Sequence, residues 1–230
     1  MLNTFSSDIS LAIFDLDGTL VNTIADLGNS ASYALKKCGF PERTTEEYTR
    51  FVGNGTYMLI KRCLPEAVHD NDDICKKVHT AFSEHYASHY ADTSYAYENM
   101  GFVLNELKKN GVKLCVLTNK PNAFAEGVLN KFFPSDTFDI IMGSREDMPK
   151  KPDPTAENYI ISQIGAVKGR VIHIGDSDID VFTAHNAGVK CIGCTWGFRS
   201  RQSLLEAKAD FIADKPEDIL KIILKMYVLK

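Results

Sequence analysis

The chain has 230 residues, 44% of them hydrophobic and 24% charged, with a formal net charge of −4 at pH 7. That length holds one large domain, or one domain carrying an insertion, in an ordinary globular composition. There is no basic surplus to neutralise nucleic-acid phosphates, no run of about 18 apolar residues to span a bilayer, and six cysteines are too sparse for a disulfide framework, so nucleic-acid, membrane and disulfide-scaffold classes are set aside.

The first predicted element is Leu11-Ala12-Ile13-Phe14, a short apolar run expected as a buried parallel strand. Asp15-Leu16-Asp17-Gly18-Thr19-Leu20 follows directly, which puts two carboxylates at the carboxyl end of a strand, where open α/β sheets bind ligands. Two acids so close repel unless a cation or a shared proton separates them. A hard cation such as Mg2+, with a phosphate, suits that chemistry. The ten residues ahead of the strand lack the basic segment and apolar core of a secretory leader, so a cytoplasmic location is expected.

From Asn22 to Asp92 the pattern is helical, with no convincing strand. Ile24, Leu27, Ala31, Ala34, Leu35 and Cys38 form an apolar stripe stopped by Gly39. Thr44 or Thr45 can cap a second helix. Phe51-Val52-Gly53-Asn54-Gly55 interrupts, Tyr57–Leu64 resumes, and Val68–Tyr90 reads as one long polar helix. Beyond it, Met100, Val103, Leu104 and Leu107 repeat at helical spacing before Gly111. Strands are expected at Val112–Leu117, Phe138–Met142, Val171–Ile174, Val189–Cys194 and Phe211–Ala213, with helices at Pro121–Phe133, Thr155–Ile164, Asp178–Ala187 and Glu217–Val228. This alternation predicts a doubly wound, Rossmann-like parallel α/β sheet carrying an inserted helical cap. The core would be residues 1–21 and 93–230, and the cap residues 22–92.

Three further segments carry chemistry. Leu117-Thr118-Asn119-Lys120 ends a strand ahead of a helix, where a hydroxyl and backbone N–H groups make good phosphate donors. In Lys151-Pro152-Asp153-Pro154 the proline holds Lys151 extended, and a fixed ammonium can neutralise charge that builds during a reaction. Lys150 competes for that role. Gly175-Asp176-Ser177-Asp178-Ile179-Asp180 again follows an apolar run and opens a helix, whose dipole suits Asp178.

In this order, DxDGTL at Asp15–Leu20, the strand ending in Thr118, the Lys151-Pro152 step and GDSxxD from Gly175 to Asp180 resemble the four motifs of the haloacid dehalogenase superfamily. The strings Phe51-Val52-Gly53-Asn54-Gly55 and Gly197-Phe198-Arg199-Ser200 resemble its phosphoglycolate phosphatase group. The resemblance implies Mg2+-dependent hydrolysis of a small phosphate monoester, with 2-phosphoglycolate foremost, through an aspartyl-phosphate. Asp15 would be the nucleophile, and Asp17 the general acid and later the general base. Thr118, Gly18 and Asn119 would hold the phosphate, and Lys151 would neutralise it. Asp15, Asp176 and the backbone carbonyl of Asp17 would bind Mg2+, with Asp180 supporting a metal-bound water or Lys151. Gly53 and Asn54 of the cap would meet the non-reacting end of the substrate. The partner would be a small phosphorylated metabolite, and the chain a monomer or homodimer.

Two other readings stand beside this one. A β-phosphoglucomutase-like isomerase would use the same aspartates, although Thr19 leans toward hydrolysis. A phospho-acceptor or binding module would place its acceptor on a later strand and lack a long helical insertion. Asn22-Thr23 stands where many relatives carry Asp-Ser or Asp-Thr, and Asn can still cap a helix. Cys191 and Cys194 read as buried thiols, His85 and His89 as a solvated helical face, and Trp196 as packing in the core or at the rim of the site.

Overall fold

The structure is a computed structural model that describes residues 8–224. Strand β1 (Leu11–Phe14) is fully buried and lies at the centre of the sheet. On one side it pairs with β4 (Lys113–Pro121), which pairs with β5 (Ile140–Ser144). On the other side come β6 (Val171–Gly175), β7 (Lys190–Cys194) and β8 (Phe211–Ala213). Every pairing within this six-stranded sheet is parallel. Parallel neighbours need long crossovers, and helices supply them on both faces. These are α5 (Met100–Lys109), α6 (Asn122–Phe132), α7 (Thr155–Ile164), α8 (Asp178–Ala187), α9 (Arg201–Glu206) and α10 (Pro216–Leu224). Two apolar layers result. One packs Phe14, Leu114, Val116 and Ile174 against α5 and α10. The other packs Ile13, Cys115 and Cys191 against α7 and α8.

Between β1 and β4 the chain leaves the sheet. Helices α1 (Ile24–Lys37), α2 (Thr45–Phe51), α3 (Thr56–Cys63) and α4 (Asp72–His89) close around a separate apolar cluster of Leu35, Ile60, Val78, Phe82 and Tyr86. Thr44 caps α2 in a reciprocal capping box with Glu47.

Several boundaries move from their expected places. Two two-residue strands, β2 (Val21–Asn22) and β3 (Tyr95–Ala96), pair antiparallel where the insertion leaves and rejoins the core. They are too short to show a period-2 pattern, and Asn22 is a strand residue rather than a helix cap. Thr23 takes the cap position of α1, while the Asn22 amide oxygen accepts from the Ile24 N–H. The long helix expected over 68–90 is a 3-10 turn at Glu66–Val68 followed by α4, which Asn71 restarts by accepting from the Ile74 N–H. β4 runs on through Thr118, Asn119 and Lys120, so α6 starts only after Pro121. The expected end of the last helix at Val228 lies outside the described residues. Among the described residues, no helix is long and apolar enough to cross a membrane.

Candidate active site

The carboxyl ends of β1, β4 and β6 converge below the helical insertion. Asp15 and Asp17 follow β1, Thr118 and Lys120 come from β4, and Asp176 and Asp180 follow β6. A cleft between core and insertion is lined by Asp15, Asp17, Thr118, Lys120 and Asp176, with Gly53 from the insertion.

Of the two candidate lysines, Lys151 belongs to this centre. Its ammonium lies 2.6 Å from Asp180 Oδ1 and 3.0 Å from Asp15 Oδ1. Burial favours loss of its proton, but Asp15 and Asp180 outweigh this and raise its pKa, so it stays charged. Lys150 instead extends toward Gly55 of the insertion. Asp180 accepts on its other oxygen from the Ser177 hydroxyl at 2.6 Å and the Ser177 N–H at 3.1 Å. Burial alone would raise Asp180, yet Lys151 and His173 hold it well below the usual carboxylate range. The expectation that Asp180 supports Lys151 from the first helical turn thus has a direct contact behind it. Asp178 opens the same helix.

Beneath Asp180 lies a pair with no expected role. The fully buried His173 ring is 3.4 Å from Asp180 through Nε2 and 3.2 Å from the fully buried Glu157 through Nδ1. Burial would lower the imidazole pKa, but Glu157 and Asp180 more than offset it and lift it to about 9. Glu157, His173, Asp180, Lys151 and Asp15 therefore form a buried line of alternating charge.

One oxygen from each of Asp15, Asp176 and Asp180 lies within 4.8 Å of the others. Asp15 Oδ1 is buried, with the Lys151 ammonium 3.0 Å away as its charged partner. Burial pushes Asp15 up to about 6, with Lys151 opposing the shift and Asp180 and Asp17 adding to it. Burial and the carboxylates of Asp180 and Asp15 likewise raise Asp176. Like charges crowded on hard oxygen donors, three carboxylates to one ammonium, fit a small divalent cation. The Asp17 side chain stands outside this group. Its Oδ1 accepts from Thr23 Oγ1 at 2.6 Å and from the Lys120 ammonium at 2.9 Å.

Gly18 earns its place by close approach. It has φ +84°, and an added Cβ would overlap the Asp176 carboxylate and come within 2.9 Å of the Phe198 ring. The Phe198 N–H donates to Asp176 Oδ2 at 2.6 Å, which gives the Gly197–Ser200 string its function in holding that carboxylate. Thr118 is buried in the cleft wall.

Two candidate binding side chains are otherwise engaged. Asn119 bridges structure. Its amide donates to the carbonyls of Gly53 and Lys151, and its oxygen accepts from the Lys151 N–H. The Asn54 oxygen faces Arg62 at 2.6 Å and is not part of the cleft wall. Gly53 does line the cleft, with φ +122°.

Elsewhere, Cys191 and Cys194 are fully buried, and burial raises both thiols. His85 is not simply solvated, since its ring stacks between Tyr33 and His89 and meets the Ser30 hydroxyl at 3.0 Å. Trp196 packs against the core and donates to the carbonyl of Thr19, inside the first motif. Three residues with no assigned role take charged or cross-domain contacts. Lys120 was part of a quoted motif, and Arg199 of another. Arg199 donates to the carbonyls of Thr49 and Val52 in the insertion. Asp26, 2% exposed, accepts from the N–H and hydroxyl groups of both Thr93 and Ser94, and so ties the start of the insertion to its end. An acid at the first turn of a helix was the only signal for it.

The parallel sheet, the motifs at the ends of β1, β4 and β6 with Lys151 beside them, and this acidic centre define a phosphoric monoester hydrolase, and the chain belongs to the haloacid dehalogenase-like hydrolase family, whose profile matches residues 12–194. It is similar to the phosphoglycolate phosphatase of Vibrio parahaemolyticus, at 30% identity over 94% of this chain and 96% of that protein. It is also 32% identical to the phosphoglycolate phosphatase of Mannheimia succiniciproducens, over 95% of this chain and 100% of that protein. The crystal structure of a predicted phosphoglycolate phosphatase from Haemophilus somnus superposes with a TM-score of 0.87 at 32% identity, covering 94% of this chain and 98% of that one.

Proposed function

We propose that this protein is a Mg2+-dependent phosphatase that hydrolyses a small phosphate monoester, 2-phosphoglycolate first among candidates, through an aspartyl-phosphate. Residues 22–92 act as a cap over the site. The observation that carries this reading is the crowding of Asp15, at the end of the central strand, against the carboxylates of Asp176 and Asp180, with the Lys151 ammonium 3.0 Å from its Oδ1. That is an anion held ready for a cation and an electrophile rather than a satisfied structural group.

When bound at Asp15 and Asp176, with the Asp17 carbonyl, Mg2+ supplies positive charge that offsets repulsion between a carboxylate and a phosphate dianion. Lys151 adds fixed charge on the same side, and Asp180 keeps its ammonium in place. A carboxylate oxygen of Asp15 forms a bond to phosphorus as the phosphorus–oxygen bond to the alcohol breaks. Asp17 gives its proton to the departing alkoxide. Water then attacks the acyl phosphate while Asp17 takes up a proton. The bond between Asp15 and phosphorus breaks, and inorganic phosphate leaves. Thr118, in the cleft wall, is placed to donate to a phosphoryl oxygen. Gly53 and the start of α3 face the far end of a small substrate with backbone groups, which suits a carboxylate.

The test is phosphate release from a panel of phosphorylated metabolites, compared by kcat/KM with and without Mg2+. The proposal expects 2-phosphoglycolate at the head of the panel and no release without metal. A sugar phosphate converted to its isomer, without net phosphate release, would favour the isomerase and overturn it. The relatives' names, and the resemblance of the Phe51–Gly55 string to the phosphoglycolate phosphatase group, support the choice of substrate class.

A further inference from the structure

Lys120 has one of the least accessible ammonium groups in the molecule, its side chain 1% exposed, and the reaction as written gives it no task. Burying an ammonium costs several kcal/mol unless its donors are satisfied. Here two partners satisfy it, and they come from opposite sides of the cleft. Asp17 Oδ1 in the core accepts at 2.9 Å, and the hydroxyl of Tyr86, on α4 of the cap, meets the ammonium at 2.6 Å. Tyr86 is itself fully buried. It stacks on Phe82 of its own helix at 5.2 Å and meets Phe124 of core helix α6 edge-on at 5.1 Å, so the phenol has little room to turn away.

The effect on Asp17 is geometric. Its Oδ1 receives two donors, the Lys120 ammonium and the Thr23 hydroxyl. Among the described residues no donor is directed at Oδ2, and Asp17 lines the cleft. One oxygen is thus anchored while the other faces the cleft without a donor.

We propose that Lys120 is a positioning residue that aims Asp17 Oδ2 at the leaving group, and that Tyr86 makes this aim depend on a seated cap. This rests on Asp17 being the general acid. A cap lifted from the core takes the phenol away from Lys120, so the proton donor is held in place only when the substrate is enclosed. Proton transfer needs hydrogen-bond distance, so a loosened carboxyl loses most of its advantage.

The experiment compares kcat/KM for an alkyl phosphate, 2-phosphoglycolate, with that for para-nitrophenyl phosphate. This ratio covers the steps up to departure of the leaving group. An alkoxide needs a proton to leave, whereas para-nitrophenolate does not. Lys120→Met should lose roughly 100-fold on the alkyl ester and less than roughly 10-fold on the aryl ester. Tyr86→Phe keeps the ring packing and should lose roughly 5-fold on the alkyl ester while the aryl ester falls by less than about half that factor. Equal losses on the two esters in Lys120→Met would mean that it supports the fold or a step both esters share, and would overturn the positioning role. If Lys120→Met does not fold, Tyr86→Phe carries the test alone, and an unchanged ratio of the two substrates overturns the proposal. Asp17→Asn separates the proposal from its premise. If it shows the alkyl-selective loss and the other two variants do not, positioning by Lys120 fails while the acid role stands. If Asp17→Asn itself shows no selectivity, the acid assignment falls and takes the proposal with it.

Discussion

In the core, the groups around the reaction centre are charged and buried together: Glu157, His173, Asp180, Lys151 and Asp15 run in one line of alternating sign. In the cap, the groups that meet the seam above the cleft are neutral, namely the Tyr86 hydroxyl and the carbonyls of Thr49, Val52 and Gly53, while the Asp26 carboxylate sits where the insertion joins the core. The core thus concentrates charge where a phosphoryl dianion must be held, and each charge is steadied by the next because an isolated one is costly to bury. The cap brings dipoles, and the core supplies the charged partners across the seam, Lys120 and Arg199. Above the cleft a surface of that kind can seat without desolvating charges of its own, and its loop can vary without disturbing the acidic centre. Chemistry and selection are carried by different kinds of interaction, so they should fail separately.

Metal removal gives the largest effect expected on the core side. A chelator should abolish turnover, and added Mg2+ should restore it. Asp176→Ala should raise the Mg2+ needed for half-maximal rate by at least roughly 10-fold, as loss of a ligand carboxylate does. Full activity in chelator would remove the reason for crowding three carboxylates.

The tie between the two regions comes next. Four donor groups of Thr93 and Ser94 converge on Asp26, and burial opposes its charge while these donors lower its pKa beyond that. Asp26→Ala strands those donors and should cost about 3 kcal/mol in urea unfolding. Because the folded pKa lies below the unfolded one, this stability is present above the ordinary carboxylate range and is lost as pH falls through the lower folded value. A variant as stable as the parent at pH 7 would show the tie to be ornamental.

The His173 pair sharpens the contrast by pH. Its folded pKa, near 9, lies above the ordinary histidine value. Its stabilising contribution should therefore be complete below about pH 6.5 and vanish as pH rises through about 9. The Tm of His173→Gln should approach that of the parent across this window, and a constant gap would contradict the charged pair.

The smallest effect belongs to the cap loop. Gly53→Ala strains a backbone at φ +122° and crowds Arg199, whose Nη2 is 3.4 Å from the new Cβ. Its kcat/KM for 2-phosphoglycolate should fall several-fold more than that for para-nitrophenyl phosphate, which needs little positioning. Equal falls would move the loop from selection to chemistry or folding.

The core was legible because its signals are local. Three apolar strands each end in the motif they present, and Lys151, in a loop, is marked by its proline. What stayed hidden depends on distant partners. Lys120 stood in a quoted motif, but its partners lie 103 and 34 residues away. Glu157 reads as one more polar position on a helix until β6 brings His173 beneath it. Asn54 reads as a free loop amide because nothing nearby shows that Arg62, in the last turn of α3, folds back onto it. Strands β2 and β3 have two residues each, too few for any periodic signal.

The central claim is that a charged core performs the phosphoryl transfer on Asp15. It is tested most directly by acid-quenching the enzyme during turnover of a substrate carrying a radiolabelled phosphoryl group and mapping the labelled peptide. The account predicts an acid-stable, alkali-labile label on the peptide containing Asp15, enriched when dephosphorylation is slowed in Asp17→Asn and absent in Asp15→Asn, which should stay folded and lose turnover by on the order of 10⁴-fold or more. A label on another residue, or Asp15→Asn turning over near the parent rate, would contradict it.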